Sequence, residues 1–201
     1  LQNYMLQKSI ADSTSDALAI KAISFLSNNP QGLLLDLPTV EGNADILLIK
    51  LIEAEEKGFA GIFSLLTNYK LLKEKRKNTL KQSTSFLELQ IDKKNNLLSY
   101  QANNEFISPI IWSYKQGKII ETESHKIKLE PGDFFFLSSQ GLINLFINQH
   151  NLKKMITKVF KFFAEDGLET CINMLKKEID FLMGSQDPNE DLHLICFQLL
   201  Y

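Results

Sequence analysis

Arginine is nearly missing from this chain of 201 residues: Arg76 is the one guanidinium among its 22 lysines and arginines. Planar, bidentate gripping of phosphate is therefore close to excluded, and lysine or a metal would have to hold any phosphate. Cations do not outnumber anions either. Against 24 Asp and Glu the formal charge is −2 at pH 7, without the basic excess by which nucleic-acid binders displace counterions, so no nucleic-acid partner is expected. Cysteine occurs twice, at Cys171 and Cys196, and no CxxC spacing appears. That excludes a disulfide framework or a zinc knuckle and fits a reducing, cytoplasmic setting. No apolar run reaches the ~18 residues of a membrane span, and no signal peptide opens the sequence. The first residue is Leu1 rather than Met, from which the chain is expected to be the C-terminal part of a longer protein, with room upstream for a sensor or membrane anchor.

What is present is a sequence built to collapse. Hydrophobic residues make up 44% of it, and phenylalanine alone occurs 14 times, far from the composition of disorder. A chain of this size buries roughly 70% of its unfolded surface, and residues 1–201 read as one domain. Residues 17–26 alternate weakly, Ser27 to Gly32 supply turn chemistry, and Leu33-Leu34-Leu35 follow, which predicts a hairpin ending at Asp36. Ile46 to Ala54 predicts a helix; beyond Gly58, Ile62 to Leu72 predict a second one with a basic end, Lys73 to Lys77, packed against the first. From Thr84 the period becomes two. Phe86 to Ile91, a turn at Asp92 to Asn96, and Leu97 to Tyr100 predict another hairpin. Strands are also expected at Pro109 to Tyr114, Lys118 to Glu121 and Asp133 to Leu137. After Gly141 helical spacing returns, through Leu142 to Phe146, Leu152 to Phe163 and Leu168 to Leu182, before a last strand at Leu192 to Leu200. Strands and helices thus stand in blocks, which predicts an α+β fold of antiparallel sheets covered by helices.

The common enzyme signatures are absent. There is no Walker loop, GxGxxG, GxSxG elbow or HExxH. His125, His150 and His193 are scattered, as surface or structural histidines are, rather than clustered for metal or catalysis. Cys171 and Cys196 lie among apolar residues and read as buried, inert thiols. Lys153, Lys154, Lys158 and Lys161 interleave with large apolar residues; a solvated basic face over a packed one is the plain reading, a membrane or partner groove the alternative.

Three stretches nevertheless resemble one known family. Thr84-Ser85-Phe86-Leu87-Glu88-Leu89-Gln90-Ile91-Asp92 and Leu97-Leu98-Ser99-Tyr100-Gln101-Ala102-Asn103 are similar to the central hairpin of the metal-dependent protein phosphatases of type 2C, in their SpoIIE-like bacterial branch. Asn104-Glu105 stands where that family continues with Gly-His. Leu129-Glu130-Pro131-Gly132-Asp133 through Ser138-Ser139-Gln140-Gly141-Leu142 resembles the strand that ends in Ser/Thr-Asp-Gly, with Gln140 in place of the Asp. Asn189-Glu190-Asp191-Leu192-His193-Leu194 resembles the closing Asp-Asp-Ile-Thr strand, with Glu190 for the first Asp and His193 for the Thr. The resemblance covers most of the chain and implies a four-layer α-β-β-α sandwich, two antiparallel sheets flanked by helix pairs. It also implies a chemistry, in which carboxylates at sheet ends hold two Mg²⁺ or Mn²⁺ ions and a metal-bridging water attacks a phosphoserine. By position, Asp36 matches the bridging carboxylate and Asp16, more weakly, the one before it. Gln140 and Glu190 match the other ligands, with Asp191 beside them.

The departures bear on that chemistry. Hard divalent cations need anionic oxygen; Gln140 removes a charge, and Glu190 adds a methylene where Mg²⁺ demands near-octahedral geometry. The family's tight turn after Asp36 is replaced by Leu37-Pro38-Thr39-Val40-Glu41-Gly42. Structural roles also suit these residues: Asp36 as a cap of the helix that follows or a partner of loop amides, Gln140 and Asp191 as hydrogen bonders of loop backbone, Asp16 as a structural carboxylate. The expectation is a degenerate phosphatase domain with weak or no catalysis, binding Mn or Mg if any metal. It would act by binding a protein, of anti-anti-sigma type or another phosphoprotein, in a partner-switching pathway. The alternative is an active Mn- or Mg-dependent phosphoserine phosphatase on such a protein, and a homodimerising scaffold is the third reading.

Overall fold

A computed structural model describes residues 18–28, 33–36, 46–54, 84–102, 108–121 and 124–200. Its strands are β1 (Leu18–Phe25), β2 (Leu33–Asp36), β3 (Ile46–Ala54), β4 (Thr84–Asp92), β5 (Leu97–Ala102), β6 (Ile110–Ser113), β7 (Lys118–Ile119), β8 (Lys126–Lys128), β9 (Phe134–Ser138) and β10 (Leu192–Leu199). Among the described residues the helices are α1 (Gln140–Leu145), α2 (Gln149–Phe163) and α3 (Leu168–Met183). The strands form two five-stranded sheets, ordered β1-β10-β9-β6-β7 and β2-β3-β4-β5-β8, with every pairing antiparallel. Each sheet belongs to its own compact unit, and the helices belong to that of the first sheet. The α+β class and the two antiparallel sheets are as expected.

In the unit of the second sheet, the hairpin of β4 and β5 forms as the alternation predicts. Asp92 pairs with Leu97 across a turn in which Asp92 accepts from Asn95 twice, from its side chain at 2.7 Å and its backbone N–H at 3.0 Å. Ile46 to Ala54 is a correction: it is strand β3, between β2 and β4, and not a helix. A nearly unbroken apolar run fits both periods, and its alternately buried Leu47, Ile49 and Leu51 show which one the sheet selects. The helix predicted over Ile62 to Lys77, its pairing, and the loop from Leu37 to Gly42 lie outside the described residues.

The hairpin predicted from residues 17–36 is a second correction. β1 pairs with β10, Leu18 against Leu199, while β2 pairs with β3 in the other sheet. The two strands thus belong to different sheets, and no short-range signal marks partners so distant.

In the unit of the first sheet, α2 buries Leu152, Ile156, Val159 and Phe160, and α3 buries Leu168, Cys171, Ile172, Leu175 and Ile179. Both sets follow the three-and-four spacing of one helix face. They close on Ile110, Trp112, Phe134, Phe136, Leu194 and Cys196 of the sheet. Phe160 stands at the centre, with edge contacts to Phe134 at 4.8 Å and Phe136 at 5.1 Å and a tilted one to Trp112 at 6.0 Å. Asn148 caps α2 by accepting from Asn151 N–H at 3.0 Å.

One position contradicts its local chemistry. Past the end of α1, Ile147 holds φ at 70°, the left-handed helix-ending conformation that glycine or asparagine normally fills. A β-branched side chain there costs about 1–2 kcal/mol. Ile147→Gly should therefore raise the melting temperature by roughly 2–4 °C for each kcal/mol relieved. Phe160→Ala, by contrast, should lower stability by about 3–5 kcal/mol in urea unfolding followed by the emission of Trp112.

Candidate functional site

The turn from β9 into α1 and the loop entering β10 are sewn together at Ser139. Its backbone N–H donates to the His193 carbonyl at 3.0 Å. Its hydroxyl donates to the Asp191 carbonyl at 3.0 Å and accepts from His193 N–H at 3.0 Å and Leu142 N–H at 3.3 Å, the last being the N-cap bond of α1. Gly141 lets the two segments touch. A methyl at that position would run into the Asp191 carbonyl oxygen and stand 3.0 Å from Glu190 Cβ. Of the residues singled out in the sequence, the structure thus brings Gln140, Glu190 and Asp191 to one place.

Their bonding is not that of free ligands. Buried Asp191 accepts from both the N–H and the hydroxyl of Ser27 at 2.8 Å, through Oδ1. Its Oδ2 stands 4.0 Å from His193 Nε2, beyond hydrogen-bond range. Gln140 is exposed and donates its amide to Asn144 Oδ1 at 2.9 Å, one helical turn on; Asn144 in turn donates to Glu190 Oε2 at 2.8 Å. Two neutral amides and one carboxylate form this chain. Asp36 ends β2, opposite Lys50 of β3; its side chain, and Asp16 altogether, lie outside the described residues, as does Asn104-Glu105.

A pair of divalent cations does not fit the described residues on their own. No three His, Cys, Asp or Glu side chains among them stand close enough to hold a metal. Gln140 and Asn144 offer only uncharged oxygen, so among the described residues the charged oxygens at this place are those of Glu190 and of Asp191, whose Oδ1 accepts from Ser27.

Other groups are set by burial. His193, with Nδ1 3.0 Å from Ser24 Oγ, has its pKa pulled down to about 4 by desolvation, against a smaller opposing pull from the Asp191 carboxylate. Burial pushes the Cys171 thiol up to about 11 and that of Cys196 well above its usual value, so neither is a ready nucleophile. Asp133, in the Pro-Gly-Asp turn before β9, accepts from Tyr114 N–H at 2.9 Å and Glu130 N–H at 2.8 Å, while burial raises its pKa. It fastens that turn to β6. Sequence reading assigned Ser139, Asn144 and Asp133 no place in the site, and Ser27 only that of a turn residue. The N-cap position of Ser139 and the i,i+4 spacing of Gln140 and Asn144 were available as signals; Ser27 offered none.

Three solved structures share this arrangement of strands and helices. The RsbU and RsbW domains of Rv1364c from Mycobacterium tuberculosis match with a TM-score of 0.70 at 13% identity, over 92% of this chain and 62% of theirs. The SiaA-PP2C domain of Pseudomonas aeruginosa matches with a TM-score of 0.70 at 12% identity, over 99% and 91%. RsbX in complex with magnesium matches with a TM-score of 0.64 at 14% identity, over 93% and 98%. The fold is that of PP2C phosphatase domains. At such identities the likeness concerns the fold, and the chain spans less than two thirds of the Rv1364c structure. No family model and no curated protein matches the sequence. No helix among the described residues is long and apolar enough to cross a membrane.

Within this PP2C fold the buried histidine yields a pH test. Between pH 6.5 and about pH 4 the unfolded chain takes up a proton at His193 that the folded chain refuses. Stability should therefore fall as pH drops through that window, by roughly 3 kcal/mol at its lower end. Urea unfolding of His193→Asn beside the parent chain checks this, because the fall should be smaller by that amount in the variant.

Proposed function

We propose that this chain is a PP2C-fold domain with weak or no phosphatase activity, acting by binding a protein in a regulatory pathway of the partner-switching kind. The observation that carries this reading is the chain of side chains from Gln140 through Asn144 to Glu190. Where the family resemblance calls for carboxylates aimed at a cation, this chain puts an amide that is bonded along its own helix. Affinity for a hard cation tracks the number of charged ligands, and the water that such ions activate goes with them.

The partner suggested by the resemblance is a small protein of anti-anti-sigma type or another protein phosphorylated on serine or threonine. A surface shaped for such a substrate can retain it after hydrolysis is lost. The RsbU and RsbW domains joined in the Rv1364c structure are in keeping with a setting in which this fold works beside other regulatory domains. A cytoplasmic location and residues 1–201 as one domain of a longer protein belong to the same reading.

A second reading is an active phosphoserine phosphatase that tolerates Gln140 and Glu190 with one firmly held Mn²⁺ or Mg²⁺; the magnesium complex of RsbX, which has the same fold, favours it. Calorimetric Mn²⁺ titration together with aryl phosphate hydrolysis separates the two. The degenerate domain should show no turnover and no binding below millimolar Mn²⁺. Gln140→Asp combined with Glu190→Asp should tighten Mn²⁺ by at least about tenfold. Turnover by the parent chain in Mn²⁺, abolished in Asp36→Ala, would establish the active enzyme instead.

A further inference from the structure

A cleft of about 460 Å³ opens in the unit of the first sheet, beside the turn held by Ser139. Leu145 of α1 and Leu182 and Met183 from the last turn of α3 supply its apolar lining, and Asn144, Asp187 and Glu190 its polar lining. Among the described residues no lysine or arginine lines it, and those that do line it carry negative charge. Exposed apolar residues include a lining residue and two close to the lining in sequence. Leu182 is 46% exposed, Phe181 before it 82%, and Ile147, two residues beyond Leu145, 83%.

Ile147 is the telling member of this set. Its side chain gains almost nothing from burial, and its backbone conformation is one that glycine would hold without strain. The fold is better off without it, which fits a side chain whose contact lies outside the chain. Two carboxylates beside the exposed Leu182 repel nucleic acid and anionic lipid, and complement a cation carried next to an apolar group. Exposed Phe181 and Ile147 stand within two positions of lining residues in sequence, as suits a polypeptide more than a small molecule.

We propose that this cleft docks a basic segment of a partner protein, one that presents an apolar side chain beside a lysine or arginine. The proposal deepens the protein-binding reading and rests on it for the existence of a partner. Its test is kept apart from catalysis by leaving out metal: turnover in Mn²⁺ would overturn the loss of hydrolysis and leave the docking site standing.

The methionine methyl groups report on the full chain by NMR. Met183 lines the cleft, whereas Met155 and Met174 pack against the helix-covered core and serve as internal controls. The probe is a short capped peptide in which leucine and lysine alternate, beside a twin with glutamate at every lysine. The Met183 methyl should shift and saturate with the lysine peptide while Met155 and Met174 stay in place. Asp187→Asn should weaken binding about threefold at low salt. Leu182→Glu, its melting temperature unchanged, should abolish it. A Met183 signal that stays still or answers the glutamate peptide equally overturns the proposal. So does one that moves with chain concentration before any peptide is added, since a second copy would then be the occupant.

Discussion

Three hydrogen bonds converge on the Ser139 hydroxyl, and the candidate site exists because of them. They start α1, fix the backbone at Asp191 and hold the first residues of β10 against the end of β9. Gly141 permits the approach, since any side chain there meets the Asp191 carbonyl. The result is a junction where two chain segments far apart in sequence share one small volume, and the side chains of three residues there take partners close by. Asp191 turns to Ser27, Gln140 to Asn144, and Asn144 to Glu190.

How charge is distributed at this junction decides what a cation would meet there. A carboxylate poised for a cation is held by groups that leave its outward oxygen available, and the attraction of the ion offsets the crowding of like charge. Here the crowding is reduced at source. An amide at position 140 and another at 144 add hydrogen bonds to the junction without adding negative charge. The fold shared with RsbX and SiaA leaves this chemistry open, because a fold positions side chains and the residues present decide what they do.

Around the junction, the same unit divides its apolar residues in two ways. Those of α2 and α3 that meet the sheet pack around Phe160 and Trp112 and hold the unit together. Those at the ends of α1 and α3 face outward, and Ile147 does so at a cost to the backbone. Core residues are explained by the fold.

Much of this was written in short stretches of sequence. The alternation of residues 86–91 and 97–100, the faces of α2 and α3, and the Pro-Gly-Asp turn depend on neighbours a few residues away, so their spacing alone discloses them. Ile46 to Ala54 was not legible, because an apolar run that is buried between two other strands carries no distinguishing period. Nor was the pairing of β1 with β10, whose partners stand at opposite ends of the chain. At the site, the sequence by itself determined which charges are present: Gln140 for an acid, Glu190 for a shorter one. Only the tertiary structure decided how they are used, because the bond that occupies Asp191 comes from Ser27, 164 residues away. Contacts at that range arise from the packing of whole elements, which no local pattern encodes.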